Sequence, residues 1–111
     1  MTTAGGTIGI VGAVSLLNSL TIDTTNAGAV AAGAAITFSS TINGAASLTL
    51  RSGTGAGVLF TGAVGEATPL INLLFTSSST IQINNNITVS GLNTLIFSSP
   101  VILTGTSLIT S

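Results

Sequence analysis

The sequence contains no cysteine, no histidine and very few charged residues, and each absence removes a kind of chemistry. Without thiols there is neither a disulfide framework nor thiol chemistry, and cysteine usage does not indicate the redox compartment. Charged residues make up 3% of the 111 residues, against roughly 25% in an average soluble domain. They are Asp23, Arg51 and Glu66. This excludes the clustered lysine and arginine that nucleic acid binding requires, so we expect no nucleic acid partner.

Low charge without low hydrophobicity is the opposite of what disordered chains show, since apolar residues make up 45% of this sequence. The best candidate for a membrane helix, Ala27 to Ile36, is shorter than the roughly 20 residues needed and contains two glycines. We therefore expect a folded chain that is not transmembrane. Its polar surface of Ser, Thr, Asn and Gly has a net charge of only −1. Such a surface does not repel a copy of itself, so we expect self-association.

A short motif recurs along the chain: a small polar residue, a leucine, any residue and a second apolar residue. Its clear copies have leucines at 20, 48, 73 and 95, with intervals of 28, 25 and 22 residues, and a weaker copy contains Leu108. Recurrence at a nearly fixed period of roughly 20 to 50 residues is typical of repeat architectures. We expect the variation in length to lie in loops at one corner of the repeat.

Two further strand-like patterns lie between these motifs. Apolar residues two apart, followed by a glycine two positions later, occur at 8–12, 58–62 and 101–105, and alternation of this kind indicates a strand. We expect the glycines, Gly12, Gly62 and Gly105, to form corners with positive φ. A third pattern comprises 36–38 and 81–83, with apolar residues again six positions further on. Residues 27–35 are expected to form an irregular bulge or at most one helical turn.

Two all-β architectures are compatible with such short strands. The Asn43-Gly44 pair is a strong hairpin signal and favours an antiparallel meander. A parallel β-solenoid is favoured by the repetition of whole multi-strand units, by strands shorter than the usual 5 to 6 residues and by corner residues that recur with the strands. We predict a solenoid formed by residues 1–111 as one repeat segment, with about four to five short rungs, uncapped at both ends. Two interior rows are predicted, one of Leu20, Leu48, Leu73 and Leu95 and one of Ile22, Leu50, Phe75 and Phe97.

The stretch Ile36 to Leu70, ITFSSTINGAASLTLRSGTGAGVLFTGAVGEATPL, resembles the repeats of large bacterial secreted surface proteins of the filamentous-haemagglutinin and autotransporter-passenger kind. Those repeats contain, in the same order, ITF, INGA followed by SLTL, a GTG turn, VxFxGAVG and TPL. The resemblance implies a right-handed parallel β-helix, secretion or display on the bacterial cell surface, and a role as an adhesin or structural shaft. It implies no catalytic residues.

Candidate sites are few. Asp23 and Glu66 are the only two carboxylate side chains for a glycosidase-like pair, but each follows a strand in turn-like sequence, so we expect solvated corner residues. Arg51 is a candidate partner for Glu66. The glycine-rich loop 53–57 lacks the lysine and the helix of a phosphate-binding loop, and one aspartate is too few for calcium repeats. We therefore predict no catalytic, cofactor-binding or metal-binding residues, no cofactor and no enzymatic activity.

Two surface patterns remain. Four asparagines, Asn18, Asn43, Asn72 and Asn93, are candidates for a stacked amide row, with ordinary turn positions as the alternative. Outward threonines suggest ice binding only weakly, because no Thr-x-Thr repeats. The expected function is that of a structural segment of a secreted or cell-surface bacterial protein, assembling end to end through uncapped rungs into a homo-oligomer or filament. The alternative is an adhesin segment that binds a glycan or a host surface through its Ser/Thr/Asn-rich outer face.

Overall fold

A computed structural model of the chain describes residues 1–90, 95, 97, 99–104 and 107–110. Over these residues the regular structure consists of short strands without any helix. The strands are β1 (Ile8–Ile10), β2 (Val14–Ser15), β3 (Leu20–Asp23), β4 (Ile36–Phe38), β5 (Ile42–Asn43), β6 (Ser47–Arg51), β7 (Val58–Phe60), β8 (Asn72–Ser77), β9 (Ile81–Ile83), β10 (Ile87–Thr88), β11 (Val101–Leu103) and β12 (Ile109–Thr110).

The strands stack into a parallel β-solenoid of about four turns with three faces. Face A is the five-stranded sheet β1-β4-β7-β9-β11. Face B comprises β2, β5, the single residue Val64, β10 and β12, which are joined by parallel ladders and bridges. Face C is the sheet β3-β6-β8. Every strand pair between successive turns is parallel, which excludes the antiparallel meander.

The register brings equivalent residues of successive turns together. On face C, Leu20 pairs with Leu48 and Leu48 with Leu73, while Ile22, Leu50 and Phe75 form the adjacent row. Leu95 and Phe97 pack against the same core, and the Phe97 ring lies 5.5 Å from that of Phe75. The two predicted interior rows are therefore confirmed for the described residues. Because side chains alternate along a strand, the residue between the two rows, such as Thr49, points outward.

The core is a continuous column of aliphatic and phenylalanine side chains along the solenoid axis. Phe38 and Phe60 stack with centroids 5.4 Å apart, and Phe60 meets Phe75 edge to face at 6.1 Å. The inward residues of the middle turns are 0–5% exposed. Fully burying one such side chain contributes about 1.5–3 kcal/mol, so stacking stabilises turns that cannot bury their apolar side alone.

The sequence suggests two separate strand patterns, one at 8–12, 58–62 and 101–105 and the other at 36–38 and 81–83. In the structure both patterns belong to one sheet. The strands at 8–10, 36–38, 58–60, 81–83 and 101–103 succeed one another on face A. Their equivalence is hidden because only some are followed by glycine. The predicted positive φ is also wrong for Gly12 and Gly62, which are not among the positive-φ residues. Gly62 is required for another reason, since an added Cβ would overlap the Ser40 backbone. Gly105 lies outside the described residues.

Variation in repeat length lies at two corners rather than one. The first turn has its extra residues between β3 and β4, and the third has them between Val64 and β8. Residues 27–35 form irregular turns, as predicted, with positive φ at Ala27, Gly28 and Gly33. Asn43-Gly44 marks the corner between faces B and C instead of a hairpin. Gly44 has φ 134°, and a Cβ there would overlap the Leu16 carbonyl.

The N-terminal segment, residues Met1 to Gly5, adds a partial strand to the outer edge of β3. Thr2 forms a parallel bridge with Asp23. The Asp23 N–H donates to the Met1 carbonyl at 2.9 Å, and the Thr3 N–H donates to the Asp23 carbonyl at 2.8 Å. Contrary to the expectation of an uncapped end, face C is therefore partly covered here. On faces A and B no described residue pairs with the outer edges of β1 and β2.

Candidate functional site

The three ionisable side chains lie at two different corners of the solenoid. Asp23 ends β3 at the corner between faces C and A, whereas Glu66 is exposed in the loop between Val64 and β8, at the corner between faces B and C. The glycosidase-like pair is therefore not assembled. The part of the chain that the structure describes also holds no cluster of three acidic, histidine or cysteine residues that could bind a metal ion.

Asp23 organises the first long loop. Its Oδ1 accepts hydrogen bonds from the Thr25 N–H (2.7 Å) and the Thr25 hydroxyl (2.6 Å), and its Oδ2 accepts one from the Ala27 N–H (2.9 Å). Desolvation raises the pKa of Asp23, but the hydrogen bonds from Thr25 and Ala27, aided by the Arg51 charge, outweigh it and lower the pKa below 3.8. The carboxylate therefore stabilises a loop, and at 8% exposed it is not the solvated corner residue that the sequence predicts.

Arg51 lies beside Asp23 rather than Glu66. The two residues are register partners of β3 and β6, and the guanidinium approaches Gly28 in the loop that Asp23 organises. The predicted interaction of Arg51 with Glu66 is not formed. The asparagine row is also not formed, because Asn43 pairs with Ser15 on face B and Asn72 with Ser47 on face C. Asn93 lies outside the described residues.

Sequence reasoning missed a row of hydroxyl groups at the corner between faces C and A. Thr24 and Ser52 are completely buried. The Thr24 hydroxyl donates to the Ala34 carbonyl at 2.8 Å, and the Ser52 hydroxyl donates to the Ala56 carbonyl and lies 2.9 Å from the Ser78 hydroxyl. The signal was available, since Thr24, Ser52 and Ser78 each directly follow the last residue of a face C strand. Buried polar groups need such partners, so these hydrogen bonds satisfy the row and close the corner.

The unusual surfaces are the two ends of the solenoid. The core contains a set of apolar side chains that point inward and yet remain only partly buried: Ile10, Val14, Leu20, Leu95, Phe97, Val101 and Ile109. The first three belong to the first turn, and the other four come after β10. Leu103, which pairs with the fully buried Ile83, is 53% exposed. Among the described residues, incomplete burial of inward apolar side chains is therefore confined to the first turn and to the residues after β10.

The backbone at each end continues the hydrogen-bond pattern of the interior. On face A the inward residue of each strand donates its N–H to the following turn, as Ile36 does to Gly57 and Val58 to Thr80. The outward residue of each strand faces the preceding turn. By this alternation the N–H of Val101 in β11 and both backbone groups of Gly9 in β1 face away from the solenoid. The outer edges of β11 and β1 therefore each present N–H and C=O groups that can pair with those of the other edge.

The fold and these ends define the class of the protein, a parallel β-solenoid repeat protein whose candidate functional surfaces are its terminal turns. No protein-family model, curated protein or solved structure matches the chain. Among the described residues, no helical segment has the length and apolarity needed to cross a membrane.

Proposed function

We propose that the chain is a structural, non-catalytic segment of a secreted bacterial surface or fibre-forming protein, and that it assembles end to end through its terminal turns. The observation that carries the proposal is the confinement of partly buried inward side chains to the two ends. Edges of this kind are templates for pairing with another strand unless charge, proline or a covering segment protects them. The bacterial and secreted character is supported by the sequence resemblance of Ile36 to Leu70.

Charge supports the same proposal. Asp23, Arg51 and Glu66 are the only charged side chains, and none lies on β1, β2, β11 or β12. Natural edge strands commonly carry lysine or an inward charge that opposes pairing. Because these four strands lack both, they carry no side-chain charge that opposes pairing with a second copy. The shaft then extends along its axis, with a Ser/Thr/Asn-rich outer face exposed to solvent.

The test compares the parent with two lysine variants in sedimentation velocity and negative-stain microscopy over a range of concentrations. Leu103→Lys puts a charge at the open end, whereas Leu74→Lys puts the same charge on the side of the solenoid at a residue 42% exposed. We expect parent and Leu74→Lys to form larger species as concentration rises, and Leu103→Lys to stay monomeric with an unchanged circular dichroism spectrum.

A parent chain that remains monomeric at the highest concentration contradicts end-to-end assembly. Equal assembly of the parent and Leu103→Lys contradicts the involvement of the terminal turns. Dispersed short rods that bind a glycan array support the adhesin alternative instead.

A further inference from the structure

We infer that the end-to-end contact is head-to-tail and in register: β11 of one copy pairs in parallel with β1 of the next, and β12 pairs with β2. This inference rests on the proposed function and names its partner, a second copy of this chain. Within the joint Val101 lies opposite Ile8, Ile102 opposite Gly9 and Leu103 opposite Ile10. On face B, Ile109 lies opposite Val14.

The shapes of the two ends support this polarity. At the N-terminal end, Met1 to Thr3 lie on face C one level before β1, while faces A and B have no described residue at that level. At the other end, β11 and β12 occupy faces A and B one level beyond β9 and β10. The two ends are thus complementary steps. Stacked head to tail, one copy supplies faces A and B of a shared turn and the next copy supplies face C.

The shared turn covers the residues that remain partly exposed. Met1 to Thr3 of the second copy come to lie at the level beyond Leu95 and Phe97, the outermost described residues packed beside face C. The first turn of the second copy, with Ile10 and Val14, covers Leu103 and Ile109. A head-to-head contact does neither, because it brings two N-terminal segments together on face C and leaves a gap on faces A and B.

The backbone pattern fixes the register. Strands of face A run parallel, and in each pair the inward residue of the earlier strand bonds to the two outward residues that flank its register partner. The Thr61 N–H, for example, donates to the carbonyl of Phe38, whose register partner is Phe60. By the same pattern the Gly9 N–H donates to the Val101 carbonyl and the Leu103 N–H donates to the Gly9 carbonyl, so Gly9 bonds around Ile102. A slip of one residue turns every apolar side chain of the joint to the other face. Because successive copies repeat one heterologous contact without closing, the product is a filament.

The absence of cysteine permits a direct test by disulfide cross-linking. Gly9→Cys and Ile102→Cys each introduce one thiol at an outward position, and no atom lies within 4 Å of the added Cβ at Gly9. Register partners in a parallel ladder are roughly 4.8 Å apart, which lies within the roughly 4.4–6.8 Å that a disulfide spans. Thr104→Cys is the control, since Thr104 lies two residues after Ile102 and is displaced from it by roughly 7 Å along the chain.

We expect an equimolar mixture of Gly9→Cys and Ile102→Cys to give a cross-linked dimer on mild oxidation, at least tenfold faster than Gly9→Cys with Thr104→Cys. Each variant alone should stay uncross-linked, and the double variant Gly9→Cys, Ile102→Cys should give a covalent ladder. Reduced variants that sediment like the parent confirm that the substitutions preserve assembly.

Rapid cross-linking of either single variant with itself indicates a head-to-head contact and overturns the inference. Filaments visible by microscopy without the Gly9–Ile102 cross-link also overturn it, while the proposed function stands. A parent chain that is monomeric in sedimentation overturns the proposed function, and the inference with it.

Discussion

Leu73 is the residue at which the parallel stacking can be tested most severely by substitution. It lies on β8, opposite Leu48, and is 2% exposed, whereas its neighbour Leu74 points outward. Replacing Leu73 by Asp removes a buried side chain, at a cost of about 2–5 kcal/mol for the cavity and the lost contacts. It also buries an unpaired carboxylate, which costs several kcal/mol more. A natural domain has a total stability of about 5–15 kcal/mol.

We therefore expect Leu73→Asp to be unfolded or to lose most of its stability at 25 °C. Leu73→Ala should remain folded but melt about 10–30 °C below the parent, since 1 kcal/mol corresponds to about 4–8 °C for a domain of this size. The matched control Leu74→Asp should change the free energy of unfolding by only about 0.5 kcal/mol.

The assay is thermal and urea unfolding of the parent and the three variants, followed by circular dichroism. The alternation of inward and outward residues along β8 predicts that two neighbouring leucines respond oppositely to the same substitution. A cooperative melt of Leu73→Asp within a few degrees of the parent would refute the inward position of Leu73. Unfolding of both aspartate variants would contradict the outward, solvent-exposed position of Leu74 on β8.

Four other substitutions test the core, the corners and the loop. Phe60→Ala should lower the free energy of unfolding in urea by about 3–5 kcal/mol, and a small effect would contradict the phenylalanine column. Gly44→Ala should cost at least about 1–3 kcal/mol, because its φ is positive and the added Cβ would overlap the Leu16 carbonyl. Gly12→Ala should be nearly neutral in the same melts, so equal losses would contradict the corner geometry. The pKa of Asp23 is lowered in the folded protein. Its ionised carboxylate therefore stabilises the fold at any pH above the pKa of an unfolded aspartate. That stabilisation is lost as the pH falls through the pKa of Asp23 in the folded protein. The free energy of unfolding of the parent should therefore fall below about pH 4, and it should fall less in Asp23→Asn. Identical pH dependence in the two proteins would contradict the stabilising role of the Asp23 carboxylate.

The sequence predicted the interior of the solenoid well because its signal is carried by large side chains at fixed spacing. The leucine motif identified the row through Leu20, Leu48 and Leu73, and the apolar residue two positions later identified the row beside it. Both follow from the period of two in a strand. The class of fold followed from the repetition of these rows at nearly constant intervals.

The corners were harder to predict because local residue types do not distinguish the structures they permit. Asn43-Gly44 suits a hairpin and a solenoid corner alike, since both need a residue with positive φ. The glycine at position 62 is needed for close backbone approach and not for its φ. Ile36 and Ile81 lie on face A with β1, β7 and β11. The sequence did not show this, because the residues that follow them differ from those that follow the other three strands.

The ends were predicted only in part, since pairing there depends on the backbone. The segment Met1 to Gly5 has no apolar side chain pattern, yet it pairs with β3 through N–H and C=O groups. The sequence predicts a solvated corner for Asp23 because its partners, Thr25 and Ala27, are recognised by geometry and not by spacing. The charged side chains were too few to suggest a catalytic site, and the structure places Asp23 and Glu66 at different corners.

Hydrogen bonds between successive turns are measured most directly by through-bond NMR couplings between an amide nitrogen and the carbonyl carbon that accepts its proton. The parallel solenoid predicts couplings from the Val58 amide to the Thr80 carbonyl and from the Thr61 amide to the Phe38 carbonyl, residues about one turn apart. Couplings that instead connect residues on either side of Gly44 in an antiparallel hairpin would contradict the stacking of parallel turns.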